Sequence, residues 1–204
     1  SVAGGAADTV ATKDGEEGDD EEIAAPILQD LPPHVRRSID RVGVLTSLDG
    51  DMGPAAFGPH YGSFLTHIMK NTQAPIASRW ASIILRRALM SKVDTPEDVN
   101  GADFVAERAW LLLRMGEAEA ARQMVQAVDA DQYTLRMRDV AMQVALANAD
   151  PAGLCPEAEG HPDAGKDAYW MMSRAICSAL SGETSLASAL IDQVQDRGKA
   201  PLID

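Results

Sequence analysis

The sequence predicts an all-α fold of stacked helical hairpins, and three observations carry that expectation. The stretch AERAWLLLRMGEAEAARQMVQAV, from Ala106 to Val128, recurs in outline as MSRAICSALSGETSLASALIDQV, from Met172 to Val194. Superposing Gly116 on Gly182 brings Glu117 onto Glu183, Ala121 onto Ala187, Met124 onto Leu190, Val125 onto Ile191 and Val128 onto Val194, so the matched positions are the apolar ones. Half of that offset places Ala149, followed by Asp150, in the position of Gly116 and Glu117. Three units of about 33 residues result, a period typical of helix pairs that bury their apolar faces only against their neighbours.

Composition agrees. The 204 residues are 46% hydrophobic but only 4% aromatic, so alanine, leucine and methionine fill the core, which suits close helix packing better than a sheet. A net charge of −13 offers no basic stripe for phosphates, and nucleic acid is not an expected partner. No segment reaches the roughly 18 to 20 apolar residues that span a membrane. The expected organisation is an acidic segment over 1–30, a helical N-terminal region with a long Gly/Pro loop over 31–100, and the helical repeats over 101–204.

Ser1 to Asp30 carries nine acids against Lys13 alone, and low hydrophobicity with like charge predicts disorder in isolation. It reads either as a solvated linker or as a tail that docks on a basic partner. The small, uncharged first residues fit a removed signal peptide or a cloning remnant. From His34 to Leu45, Val35, Ile39, Val42 and Leu45 make one apolar side of a predicted helix, with Pro33 at its start. Ser47 to Gly62 is dense in glycine and proline and predicts a loop with several turns; Asp49, Gly50 and Asp51 lack EF-hand spacing and read as an ordinary turn. Ser63 to Asn71 predicts a short helix. Ile76 to Val93 predicts an amphipathic one with a basic side at Arg79, Arg86, Arg87 and Lys92, either paired within the molecule or a docking face for an acidic ligand. Asp94 to Phe104 is the expected connection into the repeats.

In the first repeat Phe104, Val105, Ala109, Leu112 and Leu113 repeat at helical spacing up to Gly116, where a left-handed residue stops the helix. Glu117 and Glu119 open the second helix, and Ala121, Met124, Val125 and Val128 form its apolar stripe. Small residues at Ala109 and Ala121, and at the equivalent Ala175 and Ala187, let paired helices approach closely. In the middle unit, Gly153 and Pro156 shorten or break the second helix.

These residues resemble the tetratricopeptide family over about 102–198. GEAEAA and GETSLA match its Gly-acid turn with an alanine five positions after the glycine. The aromatic that follows the turn in that family is replaced by Ala118 and Thr184, and its closing proline is missing. The resemblance implies a protein-binding scaffold.

The expected function is therefore a non-catalytic scaffold or adaptor that holds another protein or peptide, with no cofactor and no metal. The candidate surface is the groove formed by the first helices of the repeats: Arg108, Trp110, Arg114, Arg138, Tyr169 and Arg174, with Arg86 and Arg87 as a second face. Arg108 and Arg174 are equivalent by the repeat offset. The alternative is a helical-repeat enzyme, peptidoglycan-processing or lyase-type, whose groups meet only in space, since no GxSxG, HExxH or Walker loop occurs. Cys155 and Cys177 lie in neighbouring predicted helices and are either a disulfide or two buried thiols. A disulfide favours a periplasmic or otherwise exported location; free thiols leave a cytoplasmic one open.

Overall fold

The computed structural model describes residues 35–163 and 166–196. The acidic segment over 1–30 lies outside them. Eight helices and one minimal ribbon make up the described chain, in the order β1 (Arg41–Val42), α1 (Gly62–Asn71), α2 (Arg79–Met90), β2 (Val93–Asp94), α3 (Gly101–Arg114), α4 (Ala118–Gln126), α5 (Leu135–Ala147), α6 (Cys155–Gly160), α7 (Ala168–Leu180) and α8 (Thr184–Asp196). Short 3-10 turns precede α5 and α6, at Ala130–Gln132 and Ala152–Leu154. The fold is all-α.

Local chemistry sets the helix ends. Side-chain oxygens cap four N-termini: Ser78 accepts from the Ala81 N–H, Asn100 from Ala102, Thr134 from Met137 and Asp167 from Tyr169. Three C-termini close in one geometry. Gly116, Ala149 and Gly182, thirty-three residues apart, have φ of 84°, 52° and 89°. After each, the next N–H reaches back five residues: Glu117 to the Leu112 carbonyl at 2.9 Å, Asp150 to Ala145 at 2.9 Å and Glu183 to Ser178 at 2.8 Å. The middle turn thus repeats its neighbours although its sequence does not. Beyond it, the 3-10 turn and the six-residue α6, with Pro156 in its first turn, are the shortened second helix that Gly153 and Pro156 predict.

α3 pairs with α4 and α7 with α8, while α5 packs on both α3 and α4. Ala109, Ala121, Ala175 and Ala187 are all buried where small residues were expected. The largest core cluster runs from Val42 in β1 through Phe104 and Leu112 in α3 to Val144 in α5. The division expected at residue 100 therefore does not coincide with a break in the core.

One predicted helix is absent. Val35 to Leu45 is a chain of turns around the short strand β1, with Val42 paired antiparallel to Val93 and Leu45 bridged to Ser91. Its apolar residues have helical spacing, but tertiary contact overrides it. A Cβ on Gly43 would collide with the Ser91 carbonyl, so the two backbones press together there in a way that admits only glycine.

Candidate functional site

A groove of about 360 Å³ crosses α3, α5 and α7, lined by Trp110, Arg136, Asp139, Gln143, Tyr169 and Trp170 among others. Helical spacing aims the α5 residues into it, because Arg136, Asp139, Val140 and Gln143 fall on one face. Arg136 is fixed from behind. Its Nε donates to Glu107 Oε1 at 2.7 Å and its Nη2 to Oε2 at 3.3 Å, and Lys70 Nζ reaches the same buried carboxylate at 3.5 Å. The guanidinium then lies 5.8 Å from the centroid of the Trp110 ring.

The α7 wall is held by ring contacts. Trp170 stacks on His161, 3.9 Å between centroids and 10° between planes, and meets Tyr169 edge to face at 6.2 Å. His161 Nε2 is 3.5 Å from Asp139 Oδ1. Burial pushes the Tyr169 hydroxyl up to about 12, and it has no hydrogen bond of good geometry although Gln143 interacts with it. Aromatic faces, a fixed guanidinium and amide and carboxylate groups thus lie along one trough.

The predicted site residues do not share one surface. Trp110 and Tyr169 line this groove. Arg108 is 0% exposed, and its guanidinium donates to the carbonyls of Leu89 at 2.8 Å, Val42 at 2.9 Å and Ser91 at 2.5 Å, with the rings of Phe57 and Phe104 within 6 Å. Burial lowers its pKa to about 9, which leaves it charged at neutral pH. It is a core strut and cannot touch a partner. Arg114 closes the end of α1 by donating to the carbonyls of Met69, Lys70 and Thr72. Arg138 points to the other side of α5 and pairs with Glu157 on α6 at 3.0 Å. Arg86 donates to both oxygens of Glu117 at 3.2 Å, and Arg87 donates to the Gly50 carbonyl at 2.8 Å.

Arg174 lies elsewhere again, in a larger groove of about 580 Å³ between α6, α7 and α8. Cys155 and Cys177 line this groove too and stand at disulfide distance, with Cα atoms 5.5 Å apart. Arg136, Asp139 and Gln143 were missed in sequence, although a polar stripe at i, i+3 and i+7 on a helix whose only other polar residue is Arg138 was the signal that could have revealed them. Among the described residues no helix is long and apolar enough to cross a membrane. No known protein family, curated protein or solved structure matches the chain.

Proposed function

We propose that this protein is a non-catalytic scaffold of tetratricopeptide-like helical repeats that holds a partner peptide in the groove across α3, α5 and α7. The observation that supports it most is convergence: the three helices that end in the same turn at thirty-three-residue intervals also line one groove, with Trp110 and Tyr169 as its aromatic walls. The charged residues around the groove favour a binding role, since Glu107 and Arg136 hold each other and fix the guanidinium against Trp110. An exported, oxidising location fits the cysteine pair at disulfide distance.

Affinity purification from the native host tests this reading, comparing wild type with Trp110→Ala plus Tyr169→Ala after both are shown to fold. Charge reversal at Arg108 is unsuitable as a test because that side chain is inside the core. A specific partner recovered from wild type and lost from the double variant supports the scaffold; undiminished recovery contradicts the groove assignment.

A further inference from the structure

We propose that the Cys155–Cys177 pair is a site of thiol–disulfide exchange, opened by a dithiol partner that enters the groove between α6, α7 and α8, with Cys155 taking the mixed disulfide and Cys177 leaving as the thiolate. Both cysteines line that groove of about 580 Å³. Cys155 is half-buried and Cys177 is 9% exposed, so the Cys155 sulfur is the one an incoming thiolate reaches. The charges beside the two sulfurs differ in sign. Arg174 lies one turn before Cys177 on α7, at i and i+3, and both side chains line the groove. Arg174 has no hydrogen-bond or ion-pair partner among the described residues, which leaves its guanidinium for the sulfur next to it. Glu159 stands at i+4 from Cys155 on α6 and lines the same groove. A thiolate is therefore stabilised on Cys177 and opposed on Cys155.

A thiolate of the partner attacks Cys155 Sγ, a new S–S bond forms as the old one breaks, and the electron pair leaves on Cys177 Sγ beside Arg174. The partner's second thiol then attacks its own sulfur in the mixed disulfide and releases Cys155. The dithiol is oxidised to a disulfide and the bridge is reduced to two thiols, with two electrons and two protons transferred. Glu159 and Glu183 both line the groove and oppose an acidic thiol, so the partner's dithiol lies in neutral or basic surroundings. Reduction also removes the covalent tie at the start of the six-residue α6. Just beyond its other end the His161 ring stacks on Trp170, a wall of the groove across α3, α5 and α7, so opening the bridge loosens that wall. Control of peptide binding by this route rests on the reading of that groove given above; the exchange itself does not.

The probe is 2-mercaptoethanol, a neutral monothiol that stops at the mixed disulfide, added to the native full chain. The reaction is quenched with acid at early times, free thiols are alkylated and both cysteines are mapped by mass spectrometry. The expected result is the mercaptoethanol adduct on Cys155 with Cys177 alkylated, at a rate proportional to thiol concentration. The rate should be about threefold lower in Arg174→Gln and near wild type in Arg174→Lys, which keeps the charge. Reduction should also move the Trp170 indole N–H signal in NMR and leave that of Trp80 on α2 in place. An adduct on Cys177 or spread equally over both sulfurs, a rate independent of thiol concentration because the bridge opens only by unfolding, or an undiminished rate in Arg174→Gln would overturn the proposal. A Trp170 signal unmoved by reduction would overturn the link to the other groove while leaving the exchange site.

Discussion

Ala149 takes the left-handed backbone conformation of Gly116, with φ of 52° against 84°, thirty-three residues further along the chain. An alanine there is held against its own preference by the turn that Asp150 completes onto Ala145. Ala149→Gly should therefore stabilise the fold by about 0.5 to 1 kcal/mol, the relief of strain exceeding the entropy that glycine adds to the unfolded chain. Gly116→Ala should destabilise by about 1 kcal/mol. Urea unfolding midpoints check both; a destabilising Ala149→Gly would contradict the equivalence of the turns.

Arg108 and Arg174 should behave oppositely although each stands eight residues before a left-handed glycine, Gly116 or Gly182. Arg108→Ala strands three buried carbonyls and opens the core, and should cost about 3 kcal/mol or more. Arg174→Ala should change stability by less than about 0.5 kcal/mol. Similar losses at the two positions would contradict the environments described above.

The acid limb of stability should carry two opposed contributions. The Ser63 hydroxyl, with the N–H groups of Ser63 and Gly62, holds the Asp98 carboxyl below its ordinary 3.8. The folded state keeps that charge to lower pH than the unfolded chain, so the contribution is whole above that ordinary value and is lost as pH falls through the folded one. Burial, partly offset by Arg138, pushes Glu157 above its ordinary 4.5, and the sign reverses: its contribution is whole below that value and is lost as pH rises through the folded one. Asp98→Asn should flatten the loss on acidification, whereas Glu157→Gln should steepen it. Unfolding midpoints measured from pH 7 to pH 3 show whether the two slopes separate.

Thiol titration of the denatured, unreduced protein should find no free thiol, because Cys155 and Cys177 stand at disulfide distance. A bridge across a sequence separation of 22 contributes on the order of 3 kcal/mol through the unfolded state, so reduction should lower stability by that order. Two titratable thiols would remove the support for an oxidising compartment.

The helix pairs were legible because alanine at close approaches and an apolar stripe before and after each glycine are local signals. Ala109 with Ala121 and Ala175 with Ala187 place both hairpins in register from sequence alone. The short strand through Val42 was not legible, since Val35, Ile39, Val42 and Leu45 have the helical period and only the approach of Gly43 to Ser91 decides against it. The arginines misled for a similar reason. Nothing near Arg108 in sequence announces that a carbonyl sixty-six residues away completes its shell, whereas Trp110 and Tyr169 do line a groove.

Site-specific photo-cross-linking from Gln143 on the floor of the α3, α5 and α7 groove tests the binding role most directly, with the same cross-linker at exposed Asp192 on α8 as control. In cells of the native host, the groove position should give one discrete adduct that disappears in the Trp110→Ala, Tyr169→Ala background, and the control position should give none. A discrete adduct from Asp192 with none from Gln143, or one from Gln143 that survives loss of both aromatic walls, would contradict it.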